Sequence, residues 1–275
     1  MSTAVARKGF FTDTTVCIGC KACEVACKQW NQLPDDGMFF TGMSFDNTVD
    51  LGASTWRHVA FVERPPLRGD DDQAFSWLMM SDVCKHCQRA GCLENCPTGA
   101  IVRTEFDTVY VQPDICNGCG YCIAGCPFGV IDRRADDGRA WKCTLCYDRL
   151  KDDLTPACAK ACPTESIVFG DIDDLRVRAE QRVEHLHERG VTKAYLYGVD
   201  EDNQPGTGGL NAFFLLVDQP EVYNLPPDPV VPTKKAGYAW RSAAAAAGAL
   251  VALAFAAVVR SGHPSKMNRA AGRSR

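Results

Sequence analysis

The stretch DICNGCGYCIAGCPFGV, residues 114–130, sets Cys116, Cys119, Cys122 and Cys126 close together and follows the last with a proline. The chain does much the same three more times. The other quartets are Cys17, Cys20, Cys23, Cys27; Cys84, Cys87, Cys92, Cys96; and Cys143, Cys146, Cys158, Cys162. All sixteen cysteines of the 275 residues are thereby used. Disulfide scaffolds are usually short secreted domains whose cysteines join distant loops. Here every quartet contains a Cys-x-x-Cys, a spacing that wraps the backbone around a point, so the pattern predicts metal.

Zinc favours pairs of Cys-x-x-Cys separated by a longer loop. Three cysteines at successive two-residue gaps, then a fourth before proline, form the run by which bacterial ferredoxins hold [4Fe–4S] clusters; the fourth cysteine serves the other cluster of a pair. Proline follows Cys96, Cys126 and Cys162, whereas Lys28 follows Cys27. Gly19, Gly118 and Gly120 let the backbone curl close to an inorganic core. Four quartets therefore predict four [4Fe–4S] clusters, a number suited to moving electrons over a distance.

Exchange of fourth cysteines requires partners. Between Cys96 and Cys116, the β-prone stretches Ala100–Arg103 and Val109–Gln112 flank a polar turn and predict a hairpin. This is the connection of a two-cluster ferredoxin, which pairs the second and third quartets and leaves the first and fourth to pair around them. The expected ligand sets are Cys17, Cys20, Cys23 and Cys162 (set one); Cys27, Cys143, Cys146 and Cys158 (set two); Cys84, Cys87, Cys92 and Cys126 (set three); and Cys96, Cys116, Cys119 and Cys122 (set four).

Away from the quartets, residues 55–65 and 74–80 predict strands around a polar turn at Arg68–Asp72. Asp171–Arg189 predicts a helix stopped by Gly190, with Leu175, Ala179, Val183 and Leu186 at helical spacing. Strand-like runs follow at Ala194–Tyr197 and Phe213–Val217. The glycines of Gly206–Gly209 predict a turn, and Pro226–Pro232 a stiff linker. The aspartates at 70–72, 136–137 and 171–174 are read as turns and caps. Lys and Arg total 30 against 34 Asp and Glu, net −4, which gives no reason to expect a nucleic-acid partner. No nucleophile–base pair or carboxylate pair stands out, so no catalytic residue is assigned. His86, inside a complete quartet, reads as lying beside the ligands or on the surface. His185 and His187 point to different faces of a helix. Lys21, Lys85 and Lys142 adjoin cysteines; they either tune cluster potentials or are ordinary surface lysines.

Ser242–Val259 is an uncharged, apolar run that with its flanks is just long enough to span a bilayer. Tyr238 and Trp240 suit the interface, and Arg241 and Arg260 bracket the run. It contains no histidine, so any membrane haem is expected on another subunit. Arg260, Lys266, Arg269, Arg273 and Arg275 follow it, against Lys234, Lys235 and Arg241 before, which puts the tail in the cytoplasm and the cluster domain on the outer face. MSTAVARKGFF shows neither an apolar signal core nor twin arginines. Export would then depend on a signal-bearing partner that carries the folded chain across.

CIGCKACEVACKQWN, GCLENCPTGAI, CNGCGYCIAGCPFGV, KCTLCYDRL and PACAKACPT resemble the four-cluster iron–sulfur subunits of molybdenum or tungsten oxidoreductases. With GTGGLNAFFLLVDQPEVYNLPPDP and the C-terminal apolar helix, the chain is most similar to the β (iron–sulfur) subunits of membrane-bound respiratory formate dehydrogenases. That resemblance implies a catalytic α subunit with a bis-pterin Mo or W cofactor as electron donor, and a membrane cytochrome b leading to quinone. It also implies that the unit of first and fourth quartets faces the catalytic subunit. Equivalent subunits serve other molybdopterin reductases and hydrogenases, and a free-standing polyferredoxin is the alternative of another kind, although such a carrier needs no membrane helix. The expected fold is α+β: two nested bacterial-ferredoxin-like 2[4Fe–4S] units, an inserted β segment and one transmembrane helix. Residues 1–30 with 140–175 would form the first unit, 31–80 the insertion and 81–139 the second unit. Residues 176–236 would connect to a membrane helix at 237–260 and a basic tail at 261–275.

Overall fold

The computed structural model describes residues 7–37, 40–42, 47–63 and 77–261. The chain divides into two units, Met1–Pro232 and Thr233–Arg275.

In the first unit, β1 (Lys8–Asp13) leads into α1 (Ala22–Asn31), the hairpin β2 (Arg57–Glu63) and β3 (Trp77–Val83), and α2 (Gly91–Glu94). The hairpin β4 (Ile101–Arg103) and β5 (Val109–Val111) then precedes α3 (Tyr121–Gly125), β6 (Asp132–Arg133) and β7 (Ala140–Trp141). α4 (Tyr147–Lys151), α5 (Ala157–Ala161), β8 (Ile167–Asp171) and α6 (Ile172–Glu188) follow, and β9 (Tyr195–Tyr197) and β10 (Ala212–Leu216) complete it.

A four-stranded sheet of order β8–β1–β10–β9 anchors the unit. β1, before the first quartet, pairs antiparallel with β8, after the fourth, in the register Phe10↔Phe169. The flanks of the outer quartets are thus zipped together around everything between them, which is the physical meaning of nesting. On its other edge β1 runs parallel to β10, with Phe11 opposite Phe213 and their rings stacked at 5.5 Å. Both faces of β10 are covered, and Ala212–Leu216 is 0–1 % exposed throughout. This explains its continuous apolar sequence in place of an alternating one. The expected hairpin between the middle quartets is present as β4–β5, with Val102 opposite Tyr110.

The helix expected at Asp171–Arg189 runs Ile172–Glu188, with Gly190 left-handed just beyond it. Leu175, Ala179 and Leu186 pack into the core beside Phe213 and Phe214, and Val183 lies at its margin. Asp171 makes no side-chain cap. It pairs instead with Lys8 at 2.9 Å across the β1–β8 ladder, while Asp173 and Asp174 in the first turn suit the helix dipole.

Two expectations change. The second strand of the insertion runs to Val83, past the expected end at Met80, because Ser81 and Asp82 find polar partners within the fold. Its connecting turn, Arg68–Asp72, lies outside the described residues. Pro226–Pro232 is a packed strap and no free spacer. The Val231 amide donates to Gly206 O at 3.2 Å, the Tyr197 hydroxyl donates to Pro226 O at 2.5 Å, and Val231 is fully buried. The glycine turn is what admits the strap, since a Cβ on Gly206 would fall 2.0 Å from Pro229 O.

The second unit contains α7 (Ala236–Ser261). Its 26 residues span about 39 Å at 1.5 Å per residue, more than the roughly 30 Å hydrocarbon core. Leu250, Val251, Leu253, Phe255 and Val258 are all exposed, so the helix is apolar around its circumference, as a lipid-facing helix is. It is long and apolar enough to cross a membrane. Removing Thr233–Arg275 from the chain expressed alone should abolish its flotation with lipid vesicles. Continued flotation would locate the anchor elsewhere.

Candidate iron–sulfur centres

Each quartet begins with the same backbone turn. The residue just before the second cysteine is left-handed in all four: Gly19 (φ +66°), His86 (+44°), Gly118 (+72°) and Leu145 (+59°). Glycine adopts this conformation freely, whereas His86 and Leu145 are strained there and persist only where their surroundings hold them. Leu145 is 1 % exposed, as is His86, whose Nδ1 accepts from the Val109 amide at 3.0 Å. Such turns aim successive N–H groups into one concavity, the nest that binds anions and iron–sulfur cores. The Leu145 amide already donates to Cys143 Sγ at 3.3 Å, and the Ala140 amide to Cys116 Sγ at 3.4 Å.

The backbone at the end of the third and fourth quartets explains the proline that follows each. Cys126 and Cys162 terminate α3 and α5 in extended conformation, the geometry imposed on a residue before proline. Cys27 lies within α1, which continues to Asn31, so proline there would break the helix and Lys28 takes its place. α1 packs against α5, and α2 against α3. First and fourth quartets are thereby brought together, and so are second and third.

Cys17, Cys20, Cys23 and Cys162 line one cavity, and Cys84, Cys87, Cys92 and Cys126 line another. Burial, with Cys143, Cys158 and Cys146 adding, holds the Cys27 thiol well above its ordinary pKa. Burial pushes Cys122 up to about 11, with Cys116, Cys119 and Cys96 contributing. The residues expected to act together thus stand together in all four cases. Dry, crowded thiols cannot all ionise unless a cationic core compensates them, and the donor set fits [4Fe–4S] clusters, each iron taking one thiolate.

Thiols also interact between sets, and the links run in sequence. Cys23 of set one feels Cys158 of set two. Cys143 of set two feels Cys84 of set three, and Cys92 of set three feels Cys122 of set four. Of the sixteen, only Cys20 and Cys119 are exposed, and they belong to the two ends of this series.

Several side chains near the cysteines differ from expectation. Lys85 and Lys142 are 1 % and 2 % exposed, so the surface-lysine reading is wrong for both. Lys85 is compensated by an ion pair with Asp82. Lys142 Nζ donates to Val109 O at 2.5 Å and Cys143 O at 3.0 Å. Burial lowers its pKa, but Cys84, Cys92 and Cys143 outweigh burial and hold it raised. Lys21 is half-buried and pairs with Glu24 at 3.3 Å. His86 is internal, and burial followed by the charge of Lys142 keeps it neutral. Sequence reasoning passed over Arg57 and Ser81, which the β2–β3 hairpin places against Cys158 Sγ and Cys23 Sγ, each at 3.2 Å. No local signal singled Arg57 out, since it opens a strand that also carries His58 and Glu63.

Residues 75–172 and 16–100 match two family models, each described as a 4Fe-4S dicluster domain. Fold, cysteine turns and these matches define an iron–sulfur protein of the ferredoxin-like dicluster class. A formate dehydrogenase iron–sulfur subunit of Haemophilus influenzae is 43 % identical over 223 residues, 80 % of this chain and 68 % of the relative. The nitrate-inducible formate dehydrogenase iron–sulfur subunit of Escherichia coli is 42 % identical over 225 residues, covering 80 % and 73 %. A subunit of the anaerobic dimethyl sulfoxide reductase of Escherichia coli is 34 % identical over 168 residues, covering 61 % and 75 %. The chain belongs to the family of formate dehydrogenase iron–sulfur subunits.

Proposed function

We propose that this chain is the electron-transfer subunit of a formate dehydrogenase, holding four [4Fe–4S] clusters on the four cysteine sets. In this reading it takes electrons from a molybdenum- or tungsten-pterin catalytic subunit and passes them toward a membrane cytochrome b and quinone. The observation that carries it is the series of sets one to four, with Cys20 and Cys119 exposed at its ends. When bound, the clusters supply one-electron redox chemistry. The protein's part is to space them, keep water from the middle sets and open the two ends to partners.

Both ends have apolar surroundings suited to docking. Ile18 and Val25 are 59 % and 67 % exposed beside set one, and Ile115 and Tyr121 are 47 % and 63 % exposed beside set four. In this reading these side chains contribute to the two contact surfaces. By the family resemblance, the set-one end meets the catalytic subunit, and set four faces the cytochrome. α7 would span the bilayer with the tail cytoplasmic and the cluster unit on the outer face. The formate reading is favoured over the sulfoxide reductase one because its likeness extends over 223–225 residues against 168.

The test is low-temperature EPR on the complex purified anaerobically from native membranes. Formate alone should elicit signals of reduced, interacting [4Fe–4S] clusters. Signals obtained with dithionite but not with formate would move the chain to another oxidoreductase.

A further inference from the structure

The inserted hairpin brings a charge into the protein interior. Arg57 opens β2 and is 1 % exposed. Its Nη1 donates to Ser81 O at 3.2 Å and Ser81 Oγ at 3.4 Å, both on β3. Its Nη2 donates to Cys158 Sγ at 3.2 Å, and its guanidinium lies 4.8 Å from the centre of the Phe10 ring. Nε has no hydrogen-bond partner. Among the described residues no carboxylate pairs with it, in contrast to Lys85, which has Asp82. A buried, permanently charged guanidinium is strongly unfavourable without a counter-charge. The groups positioned to supply one are Cys158, Cys23 and Cys143, which belong to both set one and set two.

Resting on the cluster reading above, we propose that Arg57 is a positioning residue: a fixed positive charge shared by the sites on set one and set two, which raises the midpoint potentials of both. A nearby cation favours the more negative, reduced form of an iron–sulfur group, and hydrogen bonds to its sulfurs act in the same direction. Ser81 supports the arrangement twice, by orienting Arg57 through Nη1 and by bonding Cys23 Sγ at 3.2 Å. The 31–80 segment thereby acquires a role. It delivers one charge to the junction of the two sites, and sets three and four lie outside the contacts of that guanidinium. An electron on the wire is then held more favourably at the set-one and set-two end than it would be without Arg57.

The experiment is an EPR-monitored redox titration of the complete complex, with iron content measured on the same samples. The unmodified complex is measured first. Fewer than four reducible centres there would overturn the cluster reading itself, and this inference with it. Arg57→Gln should then lower two of the four midpoints by at least tenfold in the reduction equilibrium, about 59 mV for one electron, and leave the other two in place. Arg57→Lys should restore both. Unchanged midpoints in a fully loaded Arg57→Gln complex would overturn the inference, as would an equal fall at all four sites. If Arg57→Gln fails to load iron, Arg57→Lys decides. Full iron with unaltered midpoints supports a charge requirement, and loss of iron there too shows that Arg57 serves packing alone.

Discussion

Replacing Cys162 with alanine should remove the cluster held by Cys17, Cys20 and Cys23 and leave the one held by Cys143, Cys146 and Cys158 in place. Sequence distance argues the opposite, since Cys162 is four residues from Cys158 and far from Cys17. The geometry favours the crossing over proximity along the chain. Cys162 closes α5 in extended conformation and lines the cavity shared by Cys17, Cys20 and Cys23, whereas Cys158 is buried among the thiols around Cys27. Losing one of four thiolates leaves an iron without its protein ligand. Iron content should fall by up to four atoms per chain. One EPR-visible centre should disappear or convert, and the formate-reducible signals beyond it should be lost if set one is the entry. A variant that instead lost only the centre of Cys143, Cys146 and Cys158 would show the crossing to be wrong.

The second large effect is expected at a backbone contact. Gly91 opens α2 and Gly125 ends α3. A Cβ on Gly91 would fall 2.2 Å from Gly125 O, and one on Gly125 would fall 2.2 Å from Asn95 Nδ2 and 2.8 Å from Gly91 O. The two short helices that hold Cys92 and Cys122 therefore touch backbone to backbone, and only glycine permits it. Gly91→Ala must push them apart. The cost should be at least the roughly 1–3 kcal/mol of a typical overpacked core, because backbone cannot swing aside as a side chain can. Gly52→Ala is the control, since nothing lies within 4 Å of its Cβ position; it should stay within about 0.5 kcal/mol. Anaerobic guanidinium unfolding followed by cluster absorbance measures both. Gly91→Ala should also weaken the magnetic interaction between the centres on sets three and four, whose thiols meet at Cys92 and Cys122. Equal stability of the two variants would mean that the helices re-pack without loss.

The two substitutions probe different kinds of information. The pairing proposed for Cys162 is an expectation drawn from the sequence, from ligand exchange between ferredoxin quartets and a hairpin of the right length. The Gly91–Gly125 contact was not legible there, because no local pattern marks one glycine as touching another 34 positions away. β1 was likewise missed. Lys8–Asp13 is too short and mixed to announce a strand, and it becomes the middle of the sheet only because β8 and β10 arrive on either side. The helix at Ile172–Glu188 and the apolar α7 could be read directly, since their periodicity or length sits within one continuous stretch.

The chemistry expected of the sites could be read locally. Ligand identity and the Cys-x-x-Cys turn are properties of a few consecutive residues, and they repeat four times whatever surrounds them. The apolar C-terminal run of the sequence likewise determined a helix able to cross a membrane. Which cysteines reach solvent, where β1 inserts, and the burial of Lys85, Lys142 and Arg57 emerge only in the folded chain. The reason is that burial and charge compensation depend on groups brought together from distant parts of the chain. Arg57 and Cys158, 101 residues apart, meet at 3.2 Å only once the hairpin folds against the outer quartets.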